Sequence, residues 1–382
     1  MLREVAINAK EVFNLKKQRI TYSQSGVNYE EIDPIKKLAQ QAGLHTSKNL
    51  LHHGFSEITD SRGESAYVWK QGNVYMASVI EGLGTKNLVA DEMRKITGKT
   101  YYENIGHDTV AAIINDLVSV GALPLVIHAY WAVGDSSFLK DLERMKDLIH
   151  GWKSACDISG AAWGGGETPT YKGIIHPQTI DLGGSAVGII KNEKSLITDR
   201  RLKAGDRILL LKSSGINVNG LSLARVVAQK LPKRYATKLS KGKMFGEELL
   251  TKTNIYAKLV QDLLKAGINI HYISNITGHG LRKIMRAKQK FTYILDKIFE
   301  PQEIFLFIQM HAGLSDEEMY GTFNMGMDYA LFIPEKDVKK SMSIINKNTF
   351  ESIDAGYLEK GEKHVVINPK NITFKGDTLN LR

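Results

Sequence analysis

Cysteine occurs once in 382 residues, at Cys156, so neither an intrachain disulfide nor a thiolate zinc site can be built. Cys156 falls near the end of a helical pattern, which predicts a small buried core residue. The lack of cystine fits a reducing compartment. Proline is scarce at 8 residues, against the make-up of long extended linkers. The stretch "MLREVAINAKEVFNLKKQRI" has no continuous apolar run of signal-peptide type. No membrane-length stretch is free of polar residues. These absences predict a cytoplasmic protein with no membrane partner. Basic and aromatic residues are nowhere interleaved as a strand-binding groove requires, so nucleic acid is not expected. The net charge of +10 comes from scattered lysines and reads as a solubilising surface. Attraction for small anions such as nucleotides and sugar phosphates is the sharper alternative.

What is present is a composition of 43% hydrophobic and 24% charged residues, that of a soluble globular protein. The length exceeds one ordinary core and predicts two domains. Residues 1–33, with "TYSQSGVNYEEID", read as a polar arm or lid. Residues 34–192 read as an N-terminal domain and 193–382 as a C-terminal one, with the polar stretch "KNEKSLITDRRLKAGD" at the boundary. Strands are expected at 66–69, 74–80, 181–190, 206–212, 291–295, 328–333 and 364–367. Helices are expected at 108–120, with Asp108 as its cap, and at 136–155, 253–265, 301–310 and 335–347. Both element types alternate in both halves, so the class is α/β-mixed (α+β) in two domains.

Three stretches carry chemistry. In "ASVIEGLGTKNLVAD" an apolar strand ends in Glu81, Gly82, Gly84, Thr85 and Lys86. The order is wrong for a Walker loop and a third glycine is missing for a dinucleotide fingerprint. The residue types nevertheless suit a metal-bound phosphate: N–H groups at glycines, a lysine charge, and a carboxylate for Mg²⁺. A hairpin turn with a solvated acid and lysine fits the same residues. Asn115 and Asp116 lie off the apolar stripe of their helix, where a solvent face would hold them equally well. In "WGGGETPTY", Gly164, Gly165 and Gly166 break any regular element, and their entropic cost is warranted where backbone nears a ligand. His107, His128, His176 and His279 match no zinc spacing and read as structural histidines.

Taken in order, "EGLGTK", "GHDTVAAIINDLVSVGALPL", "GGGETPTY", "GINVNGLSLARVV", "NITGHGLRKIMR" and "EEMYGTFNMGMDYALFIP" resemble the aminoimidazole ribonucleotide synthetases, or phosphoribosylformylglycinamidine cyclo-ligases. The resemblance spans roughly residues 20 to 367. It implies two α/β domains, with the N-terminal one pairing with a second subunit in a dimeric β-barrel and an ATP cleft near that interface. It implies an ATP-dependent ligase of purine synthesis that phosphorylates the formyl amide oxygen of formylglycinamidine ribonucleotide and closes the imidazole ring. By position, Glu81, Asp116 and Glu167 become the acids around Mg²⁺–ATP, with Asp116, Glu167 and Lys86 catalytic. Gly82, Gly84, Thr85, Lys86, Asn115, Gly165, Gly166, Thr168 and the lid's Gly26 become the ATP contacts. Ser213, Ser214, Gly215, Asn219 and Gly220 open a helix whose N-terminus suits the ribose phosphate. Thr277, Gly278 and His279 form a turn assigned to substrate, a turn that ordinary loop chemistry also explains. The chain departs from the family pattern at Glu81 (usually Asp), His128 (Asp), Asn217 (His) and His279 (Gly), and in the lid. An ATP-dependent paralogue acting on another amide or phosphate, or a nucleotide-binding homologue without activity, therefore stands beside the cyclo-ligase reading.

Overall fold

Alternation of buried and outward residues along 67–82 folds as a hairpin, β2 (Tyr67–Gln71) with β3 (Val74–Gly82), turned by Gly72 at φ +56°. The computed structural model that shows this describes Gly26 and residues 28–379. The rest of the expected arm, residues 1–25 and 27, lies outside the described residues. Its last part is helical: α1 spans Tyr29–Thr46.

The first sheet has strand order β1-β2-β3-β6-β4-β5, with β1 at Ser56–Glu57, β4 at Leu123–Val133, β5 at Ala162–Glu167 and β6 at Ile180–Ile190. Helix α2 (Lys86–Thr97) follows β3 directly. Helices α3 (Tyr102–Val118) and α4 (Leu142–Ser159) pack on each other and cover one face. Ile113, Ile114 and Leu117 of α3 and Trp152 of α4 are fully buried there. Cys156 is buried in α4, and burial pushes its thiol up to about 12, so it is an inert core residue. The other face of the sheet is open: Ile80 is 78% exposed, with Val74 and Leu125 also exposed, whereas Trp163 packs on Trp152 of α4 on the covered face.

Two expectations are corrected here. The three glycines do not break regular structure; they lie inside β5, which pairs in parallel with β4. A Cβ on Gly166 would come within 2.2 Å of the Ala129 carbonyl oxygen, and one on Gly164 within 2.7 Å of Val126. Close approach of β4 therefore accounts for Gly164 and Gly166, while Gly165 takes φ +113° where the register of the pair shifts. Helix α3 begins six residues before Asp108, which sits in its interior rather than at its cap.

The second sheet, β13-β12-β9-β11-β7-β10-β8, is built from β7 (Arg207–Lys212), β8 (Tyr272–Asn275), β9 (Phe291–Leu295), β10 (Met327–Ile333), β11 (Ser352–Lys360), β12 (His364–Ile367) and β13 (Ile372–Lys375). Every residue of β10 is buried, as the apolar run Tyr329–Ile333 requires of a central strand, and the buried Asp328 accepts from Asn217 and Tyr256. Helices α5 (Leu221–Lys230), α6 (Ala257–Lys265), α7 (Glu303–Ala312) and α8 (Val338–Lys347) complete the second half. The halves are stitched together by residues 250–256, which run along α3. Thr253 N–H donates to Asp108 Oδ1 (2.7 Å) and Asn104 donates to the Leu250 carbonyl (2.7 Å).

Candidate functional site

A cavity of about 310 Å³ opens at the junction of the two halves. Its N-terminal wall is the turn from Glu81 to Thr85, with Ala112 and Asp116 of α3. Its C-terminal wall is Val218 to Ser222 and Thr277. The turn is possible because Gly84 takes φ +73°. Gly220 takes φ +80°, and a Cβ there would collide with the Phe323 ring at 2.1 Å. Two helix N-termini, those of α2 and α5, therefore face one space, where their unpaired N–H groups favour an anion. The Thr85 hydroxyl is buried and has no partner among the described residues.

Glu81 and Asp116 form the acidic floor. Glu81 is open at the cleft mouth, yet its carboxyl is pushed up to about 7, first by the protein packed around it and then by Asp116. Asp116 is buried, and Asn275 Nδ2 donates to its Oδ1 at 2.7 Å. Behind Thr277 lies Lys283, a buried ammonium that donates to the Thr277 hydroxyl. Burial brings Lys283 down to about 8 against the opposing pull of Asp116. Asn275 and Lys283 are site residues that sequence reasoning did not find. Asn275 had one signal, its place at the end of β8 two residues before Thr277.

The structure thus brings together Glu81, Gly82, Gly84, Thr85, Asp116, Asn219, Gly220 and Thr277. Others stand elsewhere. Lys86 faces away from the cleft and is fully buried; its ammonium meets Asp108 Oδ2 at 2.5 Å and donates to the carbonyls of Asn217 and Thr251, each at 2.9 Å. It ties the halves together instead of touching phosphates. Asn115 does the same: its amide donates to the Asn254 carbonyl and its oxygen accepts from Tyr256 N–H. Glu167 is exposed at the end of β5 and does not join Glu81 and Asp116. In the sheet register Gly82 faces Gly183, Gly183 faces Tyr130 and Tyr130 faces Glu167, three strand spacings or roughly 14 Å away. Among the described residues no three His, Cys, Asp or Glu side chains converge on a metal position. Gly165, Gly166 and Thr168 share the far edge with Glu167 and are absent from the cavity wall. Gly26 is exposed at φ +92° and also lines no part of it.

Ser213, Ser214 and Gly215 lie under the loop. The Ser213 hydroxyl donates to the Gly215 carbonyl (3.0 Å), and Asn324 Nδ2 donates to that same carbonyl (3.0 Å). Asn217, at φ +59°, is buried with its amide on Asp328 Oδ2 at 2.8 Å. Gly278 and His279 turn toward α1, where His279 Nε2 meets Asp33 Oδ2 at 3.3 Å. Burial, then Arg282, holds His279 down to about 3, so it is neutral and structural. His107 is structural too, with Nε2 on the Thr253 carbonyl at 2.9 Å.

These features define a two-domain α+β protein whose junction sets a carboxylate pair and a glycine turn against a glycine loop. Residues 63–190 match the family model "AIR synthase related protein, N-terminal domain", and residues 203–368 match "AIR synthase related protein, C-terminal domain". The chain belongs to the AIR synthase related protein family. The phosphoribosylformylglycinamidine cyclo-ligase of Methanocaldococcus jannaschii is 38% identical over 72% of this chain and 76% of its own. That of Carboxydothermus hydrogenoformans is 32% identical over 92% of this chain and 99% of its own. The fold is shared with a HypE–HypF complex (TM-score 0.57, 17% identity, 82% of this chain and 92% of that one). It is also shared with AaThiL complexed with AMPPCP and TMP (TM-score 0.56, 14% identity, 82% and 90%).

Proposed function

We infer that this chain is a phosphoribosylformylglycinamidine cyclo-ligase of purine biosynthesis. The reading rests on the cleft, where an acidic turn of one domain faces a glycine loop of the other, in a chain a third identical to named cyclo-ligases. ATP passes its γ-phosphoryl group to the formyl amide oxygen of formylglycinamidine ribonucleotide. The amidine nitrogen attacks the activated carbon, the C–O bond to phosphate breaks and a proton is lost. Aminoimidazole ribonucleotide, ADP and phosphate result.

The residues divide this work by position. The N–H groups at the start of α2 and the unpartnered Thr85 hydroxyl take phosphate oxygens. Val218 to Ser222, at the start of α5, receive the ribose phosphate. Lys283 supplies a buried positive charge behind Thr277, whose hydroxyl accepts from it and so has its own O–H free to donate into the cleft. Phosphoryl transfer needs this positioning and neutralisation more than covalent help. Mg²⁺ fits the acidic floor: two adjacent carboxylates, one driven toward protonation by its neighbour, are what a divalent cation relieves. Glu81 and Asp116 would hold it, and it would neutralise charge developing on the transferred phosphoryl group. Glu167 is not part of that set.

The loss of a histidine at Asn217 takes nothing from the cleft wall, because Asn217 spends its amide on Asp328. A homodimer is part of the proposal: the open sheet face carrying Ile80, Val74 and Leu125 suits burial against a second copy. Among the described residues no helix is long and apolar enough to cross a membrane. Incubation with ATP, Mg²⁺ and formylglycinamidine ribonucleotide tests the reading: equal release of ADP and aminoimidazole ribonucleotide is expected. ADP formation without the imidazole would move the proposal to another substrate.

A further inference from the structure

A second cavity between the domains is larger than the cleft, about 820 Å³, and no residue lines both. That volume lies in the range of small-molecule sites. Its origin is the way α2 and α5 meet. Their N-terminal ends are tied by the Lys86 ammonium on the Asn217 carbonyl. Farther along, α2 rests on the short helices at Phe245–Leu249 and Arg234–Ala236, and a gap remains between the bodies of α2 and α5.

The lining is a guanidinium cluster. Arg94 of α2 is clasped by Asp141, and Arg144 lies 4.4 Å over the Phe138 ring and 3.9 Å from Asp91. Lys95 pairs with Glu92 at 2.6 Å. The three acids of the wall are thus matched by three cations of the same wall. Arg225 and Arg234, both from the C-terminal half, are the surplus. Neither has a carboxylate within ion-pair distance among the described residues, and Arg225 lies beside the Tyr235 hydroxyl.

We propose that this cavity is a second ligand site, for a phosphorylated small molecule of mononucleotide size, whose phosphate is gripped by Arg225 and Arg234. Paired guanidinium donors match phosphate oxygens in charge and geometry. The prealigned Arg94 and Arg144 face the same ligand from the N-terminal half. Such a ligand bridges the far ends of the two helices whose near ends frame the cleft.

Calorimetric titration of AMP into the full-length protein tests this, with the cleft first saturated by Mg²⁺ and AMPPNP. One AMP per chain is expected, competed by inorganic phosphate. Arg225→Gln with Arg234→Gln weakens AMP by about tenfold or more while the circular dichroism and Tm stay those of wild type. Asp116→Asn leaves AMP affinity within about twofold, since its carboxylate is outside the cavity. No heat with AMP up to millimolar concentration overturns the proposal. So does an affinity unmoved by the double substitution, or AMP displaced by AMPPNP. Failure of the ring-closure assay with AMP binding intact removes the cyclo-ligase reading alone and leaves this site standing.

Discussion

At the scale of residues, the cleft depends on two carboxylates and the amide that holds one of them. Asn275 donates to the buried Asp116, so Asn275→Ala is expected to lower kcat/KM by about 10- to 100-fold and to cost about 1–3 kcal/mol of stability, seen as a lowered Tm. Steady-state kinetics beside thermal melts checks this. Glu81 gives a pH signature. Its folded value rises from the ordinary 4.5 to about 7, so the folded state binds a proton that the unfolded state has released across that window. Stability therefore falls as pH rises from 4.5 to 7 and stays lowered above it. In chelator-treated protein, Glu81→Gln should melt higher than wild type at pH 8 and equal to it at pH 4. Equal melting at both values would show that Glu81 is not crowded by Asp116. Glu81, Gly84, Thr85 and Gly220 stood out in the sequence because a glycine turn after a strand, or before a helix, is a local signal; Asp116, inside a helix, had no such signal and entered only through the family resemblance. Lys86 was read wrongly for a physical reason: nothing in "GLGTK" tells that Asp108, 22 positions on, neutralises its ammonium. Lys283 was invisible because its importance comes from burial alone.

At the scale of elements, α2, α3 and the strap of residues 250–256 act as one unit. Lys86 joins all three through Asp108 and the carbonyls of Asn217 and Thr251. Removing one partner of a buried pair leaves the other charged and unsolvated. Lys86→Met should thus cost about 3–5 kcal/mol in urea unfolding, and a second change, Asp108→Asn, should recover most of it. A kcat that fell with no loss of stability would instead return Lys86 to the phosphates. Strands β2, β3, β6, β7, β9, β10 and β12 and helices α3, α4, α6, α7 and α8 were readable from periodicity, whereas β4, β11, α1 and α2 were not expected. The triple glycine was not: composition cannot distinguish glycines that admit a ligand from glycines that admit a neighbouring strand, and Gly166 against Ala129 is the second kind. The start of α3 was missed because Asp108 resembles a cap until its partner across the domain junction is seen.

At the scale of the whole molecule, one half of the first sheet's surface lacks a cover. Helices α3 and α4 take one face, and Ile80, Val74 and Leu125 stand on the other. A second copy laid on this face would bury them. Ile80→Lys should convert a dimer into a monomer in sedimentation at micromolar concentration, because a buried ammonium at the centre of such an interface is strongly disfavoured. A wild-type monomer under the same conditions would show that the open face has another purpose. The two-domain division was legible in length and in the polar stretch near 190–205. The packing of 250–256 against α3 was not, since it is set by pairs more than 130 positions apart.

The central claim is that Glu81 and Asp116, and not Glu167, meet the metal and the triphosphate. A structure with Mg²⁺ and a non-hydrolysable ATP analogue measures this directly. The account predicts Mg²⁺ at about 2.0–2.1 Å from oxygens of Glu81 and Asp116, with phosphates against Gly82 to Thr85. Metal coordinated by Glu167 of the same chain, or the triphosphate lodged among Arg94, Arg225 and Arg234, would contradict it.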